Sequence, residues 1–175
     1  TGAIYRPFYY ESGQDEFEEK DMEKNRESLM QANLFDFMRR LLVKRFESSF
    51  GAFYRSIENF YKITGKVQKF VENSGGKFIL DRNLMDSIYE EDIDEIEKRL
   101  QEYEQKLGEG NYPKSYKVYE VSKFTLKEQF LKDIESDRKL FEELLEKLKE
   151  LKLVDQDPKF DKLVEEINAI VSSDR

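Results

Sequence analysis

The sequence predicts an all-α fold, an elongated bundle of long helices, and three observations carry that expectation. Gly and Pro are scarce, at eight and three in 175 residues, while charged and hydrophobic residues stand at 39% and 38%. That balance favours helices with wide solvent exposure over a sheet protein. Apolar side chains recur at three- and four-residue steps over long stretches, the period of one helix face. Fourteen Phe and ten Tyr supply ample apolar surface to bury, so disorder throughout is not expected.

Taken in order, residues 1–13 are aromatic and contain Pro7, which predicts an extended arm laying Tyr and Phe rings on another surface. Residues 14–28 are acidic and polar, with Phe17 and Met22 as their apolar anchors, and form a lead-in, either a solvated helix running into the main one or a mobile segment. From Leu34 to Ile63 the line Phe35, Met38, Leu42, Phe46, Ser49, Phe53, Ile57, Phe60 keeps helical spacing without a break. This predicts one continuous helix about 45 Å long, bent at Gly51. Asp36 with Arg40, and Glu58 with Lys62, are acid-before-base pairs at i,i+4, each able to support a helix by roughly 0.2–0.5 kcal/mol.

The pattern breaks at Asn73-Ser74-Gly75-Gly76, a turn. Gly75-Gly76-Lys77 is not a phosphate loop, because the first Gly is missing and Phe78 stands in the hydroxyl position. Residues 81–90 read as a linker with a short helix around Asn83 to Tyr89. Ile93, Ile96, Leu100, Tyr103 and Leu107 form a narrow seam, ended by Gly108-Glu109-Gly110. Residues 114–124 alternate and allow one short extended segment. Thr125 and Glu128 have capping-box spacing, and Phe130, Ile134, Phe141, Leu144, Leu148 and Leu151 mark the long helix that follows. Asp137 and Arg138 interrupt that face, at a bend or an exposed stretch. Asp157-Pro158 opens the last helix as N-cap and first-turn proline, with Phe160, Leu163, Val164, Ile167 and Ile170 on one side. Asp155-Gln156-Asp157 begins like a calcium loop, but Phe160 occupies its obligatory Gly position.

Charge is unevenly placed. Between residues 33 and 70, eight Lys and Arg face three Asp and Glu, a net of +5 inside a chain of −8. A basic helix in an acidic protein is what a phosphate-contacting element would look like, and it also fits the plainer reading of a solvated face laced with ion pairs, which charge alone favours. Cys and His are both absent, which removes disulfides, a Cys nucleophile, zinc fingers and His-centred relays. No catalytic, cofactor or metal residues are assigned in this chain. No run of about 18 apolar residues spans a bilayer and no signal peptide opens the chain, so a cytoplasmic protein with no membrane partner is expected. The start at Thr1 and the end at Arg175 read as a piece of something larger.

Two stretches carry a resemblance. Phe37 to Ile57, with Lys44-Arg45-Phe46-Glu47-Ser48-Ser49 at its centre, resembles the Leu-Lys-Arg-Leu-Glu-Ser-Ser helix of bacterial SWI/SNF-like helicases, ATP-driven nucleic-acid translocases. Asp157-Pro158-Lys159 through Ile167 is similar to the segment that opens their second motor lobe. The resemblance implies a helical region inserted between two RecA-like lobes of the same polypeptide, with duplex DNA as a partner. It implies ATP and magnesium in the parent protein but none in this chain, which lacks the phosphate loop, the magnesium-binding acidic motif and the arginine finger. The division it implies is 1–28 arm and lead-in, 29–154 inter-lobe insertion, and 155–175 lobe-opening helix.

Candidate phosphate contacts are Arg39, Arg40, Lys44, Arg45 and Arg55. Glu47, Ser48 and Ser49 are read as structural, Glu47 pairing with Lys44 or Arg45 and the serines admitting a close helix crossing. The competing reading is a freestanding interaction module that self-associates through the seams at 93–107 and 130–151.

Overall fold

The computed structural model describes residues 1–13, 22–110, 112 and 117–173. It is all-α apart from one pair of three-residue strands. The helices are α1 (Pro7–Ser12), α2 (Met22–Ser48), α3 (Phe50–Asn73), α4 (Arg82–Tyr89), α5 (Ile93–Glu109), α6 (Lys127–Glu150) and α7 (Pro158–Ser173). The strands are β1 (Lys77–Ile79) and β2 (Val118–Glu120), paired antiparallel with Phe78 opposite Tyr119.

The first correction concerns the long helix. It is not continuous: the chain turns at Ser49, whose backbone is extended, and α2 and α3 pack side by side. Ser49 accepts a hydrogen bond on Oγ from the Ala52 amide at 3.0 Å, an N-cap, so the corner lies two residues before Gly51. Phe46 meets Phe50 and Phe53 edge-on across it, with centroids 5.5 and 5.3 Å apart. Two packed helices each need an apolar stripe. The stripe therefore runs through the corner without revealing it.

The second correction concerns the amino-terminal arm, which is helical rather than extended. Ala3–Tyr5 form a 3₁₀ turn and α1 follows, with Pro7 in its first turn, where a missing N–H costs nothing. The expected docking of its rings does occur. Ala3, Ile4, Tyr5 and Tyr10 enter one core with Leu34 and Met38 of α2, Phe60 and Ile63 of α3, and Phe130 and Ile134 of α6. Tyr10 donates to Asp133 at 2.8 Å and the Ala3 amide donates to Asp137 at 3.0 Å. Asp137 therefore marks neither a bend nor an exposed stretch. It is buried and holds the arm, while Arg138 turns inward to Gln68 at 2.9 Å. The acidic lead-in at 14–21 lies outside the described residues; 22–28 belong to α2, so position 28 falls within one helix.

A third correction is the capping box. Thr125 spends its hydroxyl on the Glu11 carbonyl at 2.9 Å, and α6 starts from Leu126 without a side-chain cap. Elsewhere the punctuation reads as expected. Gly75 and Gly76 at φ 70° and 84° turn the chain into β1, and Gly110 at φ 66° closes α5. The seam of α5 (Ile96, Leu100, Tyr103, Leu107) and the inner face of α6 (Phe130, Ile134, Leu148) are buried within this chain.

Candidate functional site

The corner between α2 and α3 gathers the residues that carried the resemblance. Asp157, only 6% exposed, accepts from the Phe50 amide on one carboxylate oxygen at 2.7 Å and from the Lys159 amide on the other at 3.1 Å. One carboxylate thus caps two helices, α3 and its own α7, each at the end where the backbone dipole favours a negative charge. Lys159 completes the junction from the opposite sign. Its ammonium donates to the Phe46 carbonyl at 3.3 Å and to the Glu47 carbonyl, at the end of α2 where free carbonyls favour a cation. The segments at 44–49 and 157–159, more than a hundred residues apart, therefore form one latch.

The cations are distributed unequally around this corner. Arg39, Arg40 and Lys44, together with Asp36 and Glu47, lie along an apolar groove of about 900 Å³. Its walls come from Leu42, Val43 and Phe46 of α2, Phe53 and Ile57 of α3, and Leu140 and Leu144 of α6. Arg39 also stands 5.7 Å over the Phe35 ring. Arg40 and Lys44 are exposed, and no ion pair within 4.0 Å engages them among the described residues, so the expected Asp36–Arg40 bridge does not form. The Glu58–Lys62 pair does form, at 3.0 Å.

Arg45 points elsewhere. It lies 3.8 Å from Glu91, which also receives the Ser56 hydroxyl at 3.1 Å and the Asn59 amide at 2.8 Å. Glu91 sits at φ 54°, a left-handed conformation uncommon for this residue type, between α4 and α5. It ties that turn to both sides of the corner. Arg55 is exposed on α3 and does not line the groove. Glu47 pairs with neither Lys44 nor Arg45 among the described residues; its backbone carbonyl does the work in the latch. Ser48 ends α2 and Ser49 caps α3.

The double role of Asp157 and the hub at Glu91 were not anticipated from sequence. Asp157 was recognisable as a cap of α7, but its second bond is a tertiary contact with no local signal. Among the described residues no group of three or more acidic side chains could hold a metal, and no helix is long and apolar enough to cross a membrane. The chain matches no protein-family model, no characterised protein and no solved structure.

Proposed function

We propose that this chain is the helical region between the two motor lobes of a SWI/SNF-like, ATP-dependent nucleic-acid translocase of the cytoplasm, and that it braces those lobes. The observation that supports this reading is the latch. The two stretches resembling that family are joined by Asp157 and Lys159, at distances of 2.7 Å to the Phe50 amide and 3.3 Å to the Phe46 carbonyl. A displacement of α7, at the threshold of the second lobe, would pass into α2 and α3 through the bonds of Asp157 and Lys159, which tie its first turn to the end of one helix and the start of the other. ATP and magnesium belong to the lobes.

Nucleic acid enters this reading through the groove rim. Arg39, Arg40 and Lys44 present their charge on one side, and each cation that neutralises a phosphate adds to a salt-dependent affinity. Arg45 is committed to Glu91 and contributes less. The test is a titration of labelled duplex DNA at two salt concentrations. Replacing Arg40 and Lys44 together with Ala should weaken binding and flatten the log–log salt dependence by about two. Unchanged affinity and slope would reject the phosphate role. The sequence flanking this chain in its gene is a second check, expected to carry a phosphate-loop Lys upstream and an arginine-finger helix downstream.

An interaction module is the other class of function. The seam at 93–107 packs inside the chain, whereas that at 130–151 is buried at Phe130, Ile134 and Leu148 but opens to the groove at Leu144 and to solvent at Leu151. What supports a partner is the exposed face of α7.

A further inference from the structure

Two apolar surfaces among the described residues face water. One is the groove between α2, α3 and α6, about 900 Å³, with Val43 56% exposed on its wall. The other is the stripe of α7: Phe160, Leu163, Val164, Ile167, Ile170 and Val171, each between 40% and 62% exposed. At 100° per residue these six fall within one third of the helix circumference. Asp161 and Glu166 flank them, with Lys159 tied to the α2 carbonyls, whereas the groove is lined by Arg39, Arg40 and Lys44 against Asp36 and Glu47. The two apolar surfaces therefore carry residual charges of opposite sign: an amphipathic helix with an acidic excess, and an apolar trough with one more base than acid.

The helix does not fill the groove of its own chain. No residue of α7 lines that groove, and the bonds of Asp157 and Lys159 fix the first turn of α7 at the corner. We propose that two copies of this chain pair reciprocally, the apolar face of α7 of each copy lying in the groove of the other. A two-fold arrangement of this kind closes on itself and uses both surfaces of both copies. With six apolar side chains per copy leaving water in each of two contacts, the buried area is on the order of 2,000 Å², the size of a stable interface. The proposal stands apart from the translocase reading, since pairing can fail while duplex binding persists, and the reverse.

The experiment is light scattering on the size-separated chain across a wide range of concentrations, with two variants. Ile167→Asp spoils the helix face and Val43→Asp spoils the groove. Both positions are exposed, and circular dichroism verifies that each variant folds. The expected result is a dimer for the parent chain, a monomer for each variant, and a heterodimer when the two variants are mixed, because that pair retains one intact helix-in-groove contact. A parent chain that stays monomeric up to hundreds of micromolar overturns the proposal. So does a Val43→Asp variant that still dimerises, which would indicate pairing of α7 with α7, or a mixture that remains monomeric.

Discussion

Asp157 is the residue on which the corner depends. It is nearly buried, its two oxygens serve two helix starts, and either bond alone has the worth of an ordinary cap, about 1 kcal/mol. Asp157→Ala should therefore lower stability by about 1 kcal/mol, the worth of the cap on α3, since the other bond serves a helix outside the core; the effect is read as a shift of the urea midpoint at unchanged slope. Asp157→Asn should cost less, because the amide oxygen can keep one of the two bonds. Only half of this role was legible. Asp followed by Pro announces a helix start, but nothing near residue 157 points to Phe50. Ser49 shows the same limit in another form. Its position in the apolar line made it look like a small residue at a helix crossing, while its hydroxyl is a cap for Ala52. Spacing alone could not separate these, since a chain turning back on itself preserves the three- and four-residue period.

At the scale of elements, α7 is the exception. The helices α2 to α6 all place side chains in the common core, whereas α7 is exposed along its described length. Its stripe was plain in the sequence, but a stripe predicts a partner without saying where the partner is. Deleting residues 158–175 should thus leave the thermal midpoint within a few degrees of the full chain, because no core side chain is lost. Loss of cooperative unfolding on deletion would show that α7 supports the core after all. The amino-terminal arm is the converse case. Its aromatic content signalled docking, yet its helical turns were missed, because Pro7 reads as a helix breaker unless it is known to sit in a first turn. Thr125 and Glu128 had the spacing of a capping box and failed to form one. The Glu11 carbonyl of the docked arm competes for the hydroxyl, a tertiary contact overriding a local one.

Across the whole molecule, polar groups inside the fold bind the arm, the sheet and the long helices together. Gln31 accepts from the Phe8 amide at 2.9 Å and donates to the Tyr119 hydroxyl at 2.7 Å, and Tyr119 donates in turn to Glu27. Burial raises the ionisation of Tyr5, Tyr10 and Tyr119 well above the ordinary tyrosine value of 10.0, reinforced by Asp137, Asp133 and Glu27 respectively. These phenols are neutral in the fold and ionise more readily once it opens. Their contribution to stability is complete below pH 10 and is lost as pH rises beyond it. An ultraviolet titration should therefore show a late group of tyrosines that ionises only with loss of helical signal. Ionisation of all ten tyrosines in one reversible step would contradict the buried placement.

The central claim at this scale is that the corner and α7 move as one body. Spin labels at Arg55 on α3 and Asn168 on α7, both exposed, report the distance between them by pulsed electron resonance. Dilution with unlabelled protein removes any signal between copies. The parent chain should give one narrow distance distribution that broadens when Asp157 and Lys159 are both replaced by Ala. A distribution already broad in the parent chain, or one indifferent to that replacement, would contradict it.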